Sequence, residues 1–131
     1  YELLNNSPSI NHFLTEASFS YGYQINRIGF IPSYHYVFPD RCRSFYKAVV
    51  SNDIELAKKK IHHEIMNFFF KTAKPLLDKG YIDGAIDKAY AKIGDMNTTL
   101  TIKSPYKTLS KNDFEWLEKG IISFKQQFTC N

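Results

Sequence analysis

Apolar residues recur at helical spacing over most of this chain, and one short apolar stretch, Ile28-Gly29-Phe30-Ile31, breaks that pattern. Ile10, Phe13, Leu14 and Ala17 follow Ser9, a good cap, and predict a first helix ending near Tyr21-Gly22. Residues 27–31 are the best strand candidate, closed by Pro32, which lacks the N–H a ladder needs. Tyr1 to Leu4 is a second, poorer strand, and Ser33-Tyr34-His35-Tyr36 reads as a loop.

Pro39 and Asp40 then open a helix, since proline suits the first turn and a carboxylate favours the positive helix end. Phe38, Cys42, Phe45, Tyr46, Val49 and Val50 form its expected buried stripe. Ser51-Asn52-Asp53 interrupts it. The next helix runs to about Lys79 and buries Ile54, Ala57, Ile61, Ile65, Phe68, Phe69 and Leu76; Pro75 is placed to kink it and Gly80 to stop it. A shorter helix covers 82–93 before Gly94. Residues 95–108 lack apolar periodicity and read as an extended surface segment. Ser110 caps a last helix whose apolar face is Phe114, Leu117, Ile121 and Phe124, with Asp113 in the third position of a loose capping box.

One strand followed by so many helical residues cannot complete a sheet, so the chain reads as part of a larger α/β assembly. It begins at Tyr1, as a mature product or fragment would. At 131 residues a single domain is the default, and 44% hydrophobic residues suit a globular core. Eleven Phe and nine Tyr are many, so rings must be buried or face a partner. A formal charge of +4 is ordinary for solubility, and nucleic acid is not the expected partner. No run of 18 apolar residues occurs, which excludes a helical membrane span; a cytoplasmic location is expected. Two cysteines are too few for a disulfide framework, although a Cys42–Cys130 bridge is conceivable in a secreted protein.

Chemical motifs are sparse. Adjacent His62 and His63 point about 100° apart on a helix and do not share a metal easily. His12 and Glu16 sit four apart without a third ligand, and no HExxH, CxxC or phosphate-loop spacing exists. No metal or cofactor is expected. Asp83 with Asp87, Glu115 with Lys119, and the run Lys58-Lys59-Lys60 read as solvated helix faces.

A series of segments points to one family. Gly29-Phe30-Ile31-Pro32 precedes Val37-Phe38-Pro39-Asp40, then Phe45-Tyr46-Lys47-Ala48-Val49-Val50, Asn52-Asp53 and Ala57. Asp87-Lys88-Ala89-Tyr90-Ala91-Lys92-Ile93-Gly94 is followed by Ser104-Pro105-Tyr106 and Leu109-Ser110-Lys111-Asn112-Asp113. In order and spacing this resembles the C-terminal part of the dihydrodipicolinate synthase and N-acetylneuraminate lyase family.

The resemblance implies an α/β fold: the C-terminal portion of a (β/α)8 TIM barrel with additional C-terminal helices, mostly helical within this chain. Residues 1–50 would be the last two strand–helix units, with 29–31 in the eighth strand, and residues 51–131 the helical appendage. It implies a class I Schiff-base lyase or aldolase acting on pyruvate-type 2-oxo acids or sugar acids, in a cytoplasmic oligomer. Ile31, Pro32, Ser33 and Tyr34 would then face the substrate. The catalytic lysine would lie upstream of Tyr1, so the chain alone is expected to be inactive and to need the rest of the barrel or further copies. Pro32 and His35-Tyr36 depart from the family pattern.

Two other functions compete: a small all-helical binding protein, with secretion one option, enclosing a hydrophobic ligand; and a helical domain that meets a protein partner through its aromatics.

Overall fold

The computed structural model describes residues 6, 10–24, 28–53 and 55–129. Tyr1 to Leu4, Arg27, Ile54 and Cys130 lie outside the described residues. The chain divides into two compact units, Tyr1–Met66 and Asn67–Asn131.

In the first unit, strand β1 (Phe13–Leu14) leads into helix α1 (Glu16–Gly22), and strand β2 (Gly29–Phe30) follows. The strands pair in parallel, Phe13 opposite Gly29 and Leu14 opposite Phe30. A short 3₁₀ turn, Ser33–Tyr36, precedes helix α2 (Pro39–Val50), and a π-helix spans Glu55–His62. Helix α3 (His63–Asp78) begins next.

These elements overturn the barrel. The β segment needs no neighbouring barrel strands because Gly29 N–H donates to the His12 carbonyl at 2.8 Å and Ile31 N–H to the Leu14 carbonyl at 3.0 Å. Its partner comes from 13–14, a stretch whose apolar spacing predicts helix. Among the described residues the sheet has two strands, and the fold is mostly helical, not the end of a (β/α)8 TIM barrel.

Aromatic rings fill the core of this unit. Phe19 is fully buried, stacked on Phe30 with centroids 4.4 Å apart and meeting Phe45 edge-on at 6.1 Å. Burial of such a ring contributes roughly 1.5–3 kcal/mol. Pro39 occupies the first turn of α2 with Asp40 beside it, as expected. The buried stripe differs from the expected one: Phe38, Cys42, Phe45, Ala48 and Val49 face inward, whereas Tyr46 and Val50 are exposed. Tyr46 still lays its face against Phe19 at 5.8 Å, so its ring covers the core edge.

The second unit contains the part of α3 from Asn67 onward, α4 (Asp83–Ile93), the segment 95–110 and α5 (Lys111–Thr129). Leu76, Ile86, Ala89, Leu117 and Ile121 are almost fully buried, and Phe124 meets Phe68 edge-on at 5.2 Å. Pro75 lies inside α3 and does not end it.

Left-handed residues end three helical segments. Gly80 has φ +83°, and Tyr81 N–H reaches back to the Leu76 carbonyl. The same closure occurs at Asn52, φ 59°, with Asp53 N–H on the Ala48 carbonyl, and at Asp95, φ 64°, with Met96 N–H on the Ala91 carbonyl. Such a turn satisfies last-turn carbonyls that would otherwise lack donors. Asp95, not Gly94, carries the reversal after α4.

Candidate functional site

The four residues expected to face a substrate form a structural corner. Ile31 is exposed beyond β2, and Pro32 and Ser33 are half-buried at the start of the 3₁₀ turn. Tyr34 is buried, its ring stacked on Phe38 at 4.7 Å and its N–H donated to Glu16 Oε1 at 2.8 Å. The corner ties the 3₁₀ turn to the first turn of α1.

In the first unit the surroundings shift the pKa of both Cys42 and His62. Cys42 is a free, buried thiol, pushed up to about 12 by burial and then by the Glu16 carboxylate, with Arg43 opposing. A thiol held protonated is a poor nucleophile. His62 lies half-buried between the rings of Tyr21 and Phe45, at 5.8 and 6.4 Å. Burial pulls its pKa below 6.5, a hydrogen bond with the Glu16 backbone raises it, and the charges of His63 and Lys58 lower it further. Among the described residues no group of three or more His, Cys, Asp and Glu side chains is arranged for a metal.

The densest arrangement of exposed functional groups belongs to the second unit. Residues 95–110 join α4 to α5 without regular structure, a length at which an ordered connection is usually functional. Cross-links hold the segment in place. Lys88 donates to the Thr101 carbonyl at 2.7 Å, Ile102 N–H to Thr108 Oγ1 at 3.0 Å, and Tyr106 N–H to the Lys103 carbonyl at 3.1 Å. Leu109 is buried beneath it.

At its end Ser110 caps α5. Asp113 N–H donates to Ser110 Oγ at 3.1 Å, while Ser110 Oγ and the Tyr81 hydroxyl both donate to Asp113 Oδ2, at 2.8 and 2.7 Å. Lys79 bonds the other carboxylate oxygen. Hydrogen bonds from Lys79, Tyr81 and Ser110, in that order, hold the Asp113 carboxyl down to about 2. The positive end of α5 is thus occupied by the protein's own anion.

Around this capped end lysines and rings interleave. Lys79 lies 5.9 Å from the centre of the Trp116 ring, and Lys107 lies 5.4 Å from that of Tyr81. Lys107 also donates to the Lys79 carbonyl at 3.4 Å. Lys103, Lys107 and Lys111 are exposed, and residues 98–111 contain no acidic residue. Tyr106 is 55% and Trp116 43% exposed. The surface offers several ammonium groups and two partly exposed rings, Tyr106 and Trp116, the latter beneath Lys79, which also engages Asp113.

Sequence inspection passes over Lys79, Tyr81, Lys107 and Trp116 as a group, because they come from three separate segments. The legible signal is the acid-free stretch 98–111. No helix among the described residues is long and apolar enough to cross a membrane.

No family model, curated protein or solved structure matches this chain. With the barrel absent, the lyase or aldolase function, its 2-oxo acid or sugar-acid substrate, and the completing barrel partner or oligomer fall together.

Proposed function

We propose that this protein is a helical binding domain without catalytic activity, and that its second unit engages an acidic polypeptide segment through the surface formed by 98–111, Lys79 and Trp116. One observation carries this: a long connection, pinned by its own hydrogen bonds, exposes lysines and aromatic rings together. Pre-ordering removes much of the entropy a flexible loop would lose on binding. Tyrosine and tryptophan supply contact area at low rotamer cost, and ammonium groups select carboxylates.

A polypeptide is favoured over nucleic acid by the cation type. The surface carries lysine and no arginine, and it is the arginine fork that most often reads phosphate and base edges. A cytoplasmic setting suits the buried free thiol of Cys42.

Calorimetric titration of the full chain with a glutamate-rich peptide carrying one aromatic residue tests this reading. Saturable binding is expected at low salt, weakening as salt screens the pairs. Joint Lys103→Glu and Lys107→Glu substitution should weaken it about tenfold. Equal affinity of the charge-reversed protein, or tighter binding of a single-stranded RNA oligomer, would overturn it.

A further inference from the structure

We propose that Ser104 is a phosphorylation site and that a phosphoryl group there releases the acidic partner, the second half of which rests on the acidic-partner reading of the 98–111 surface. Ser104 and Pro105 form the exposed tip of a turn, closed where the Tyr106 N–H donates to the Lys103 carbonyl at 3.1 Å. The base of the turn is held by the Ile102 N–H on Thr108 Oγ1 at 3.0 Å. The tip therefore stands open to a modifying enzyme while the segment behind it stays pinned.

The neighbouring hydroxyls are committed elsewhere or lack the right flank. Thr108 Oγ1 holds Ile102, Ser110 Oγ caps α5 and bonds Asp113, and Thr98 Oγ1 donates to the Thr99 carbonyl at 3.4 Å. The Ser104 hydroxyl engages no other group among the described residues. Thr99 and Thr101 are exposed too, but an apolar or neutral residue, Ile102 or Ser104, stands three places after each. Ser104 is preceded by Lys103, followed directly by Pro105, and has Lys107 three places on. A proline beside the acceptor brings no N–H that an enzyme groove must satisfy, and the lysine offers a charge for acidic groove residues to read.

The co-reactants are a serine kinase and magnesium-bound ATP. Ser104 Oγ attacks the γ-phosphorus, the new O–P bond forms as the bond to the ADP oxygen breaks, and the hydroxyl proton passes to the kinase's catalytic carboxylate. The product carries a charge of about −1.5 to −2 at neutral pH and three strong acceptor oxygens. Residues 98–111 contain no acidic residue, so the new anion meets no like charge within the segment. It instead offsets the exposed ammonium groups of Lys103 and Lys107, the nearest charges in the chain on either side. Those are the groups an acidic peptide would pair with, and a phosphate among them repels its carboxylates.

The test treats the full chain with magnesium-ATP and a serine kinase that selects proline directly after the acceptor and lysine at the third position. Intact mass and peptide mapping should show a single phosphate, on Ser104, and Ser104→Ala should take none. Calorimetric titration with the glutamate-rich peptide should then find the phosphorylated chain about tenfold weaker than the unmodified one at low salt, the gap narrowing as salt is added. Kinase treatment should leave the affinity of Ser104→Ala where it was before treatment. Phosphate on another residue, or on none, would overturn the modification site. Equal affinity of the phosphorylated and unmodified chains would overturn the release and leave the acidic-partner reading standing. If the unmodified chain does not bind the peptide, that reading falls and the release with it, while the mass measurement still decides the site.

Discussion

The two units solve the same problem, burying polar groups next to rings, with different completeness. In the second, the Tyr81 hydroxyl, Ser110 and Lys79 converge on one carboxylate, and Thr72 Oγ1 bonds both the Phe68 carbonyl and the Tyr90 hydroxyl. In the first, Ser20 Oγ and His62 Nδ1 are buried without partners. It also holds the π-helix, a winding that rarely extends beyond a single turn and is frequent at functional sites. The lesson is that a closed network builds a rigid platform, while incomplete satisfaction marks where a small molecule, a proton or a water has something to gain.

The largest expected effect probes the closed side. Leu117→Ala removes a fully buried side chain from the second unit and should cost about 2–5 kcal/mol in urea denaturation. A loss below about 1 kcal/mol would mean that this core is not tightly packed.

Gly80→Ala comes next. At φ +83° a side chain is strained by the backbone alone, since nothing lies within 4 Å of the added carbon. A cost of about 1–2 kcal/mol is expected from the left-handed conformation.

Two serine-to-alanine changes sharpen the contrast further. Ser110→Ala deletes a helix cap and should lower stability by about 1 kcal/mol, whereas Ser20→Ala removes a partnerless hydroxyl and should not lower it. Thermal melts giving the same sign for both would erase the distinction between the units.

The smallest effect is read with pH. Asp113 titrates near 2 when folded against an ordinary value of 3.8, so its stabilising contribution is complete above 3.8 and is lost only as pH falls through about 2. His62 is depressed below 6.5 when folded. Its unfolded form binds a proton first, so its contribution is complete above 6.5 and drains as pH falls beneath that value. Amide exchange compared at pH 7 and about pH 5 should therefore show weakened protection around His62 and unchanged protection around Asp113. The reverse pattern would sink the assignment.

Much of the helical skeleton is legible in the chain because punctuation is local. Pro39 with Asp40, Gly80, and Ser110 with Asp113 each act through one turn of backbone, and each does so where expected. Less legible is anything that depends on what lies across space. Phe13 and Leu14 fit a helical stripe and are drawn into a ladder because Gly29 and Ile31 offer them donors. Tyr46 and Val50 fit the α2 stripe and face outward, since Phe19 and Phe30 already fill the space around Phe45. No turn residue or cap sets 55–62 apart from an α-helix, so it reads as ordinary helix. The β segment takes no distant barrel strands, because two hydrogen bonds with 12–14 satisfy it locally, and that pairing is not written in the order of its apolar residues. The lysine–aromatic surface was half legible, through the acid-free run before α5; Lys79 and Trp116 joined it through folding.

Trp116 is the sole tryptophan in the chain, and a lysine ammonium stands over its ring. The protein therefore carries an indole reporter at the surface proposed to meet the acidic partner. Any carboxylate that draws Lys79 aside alters indole emission without a label.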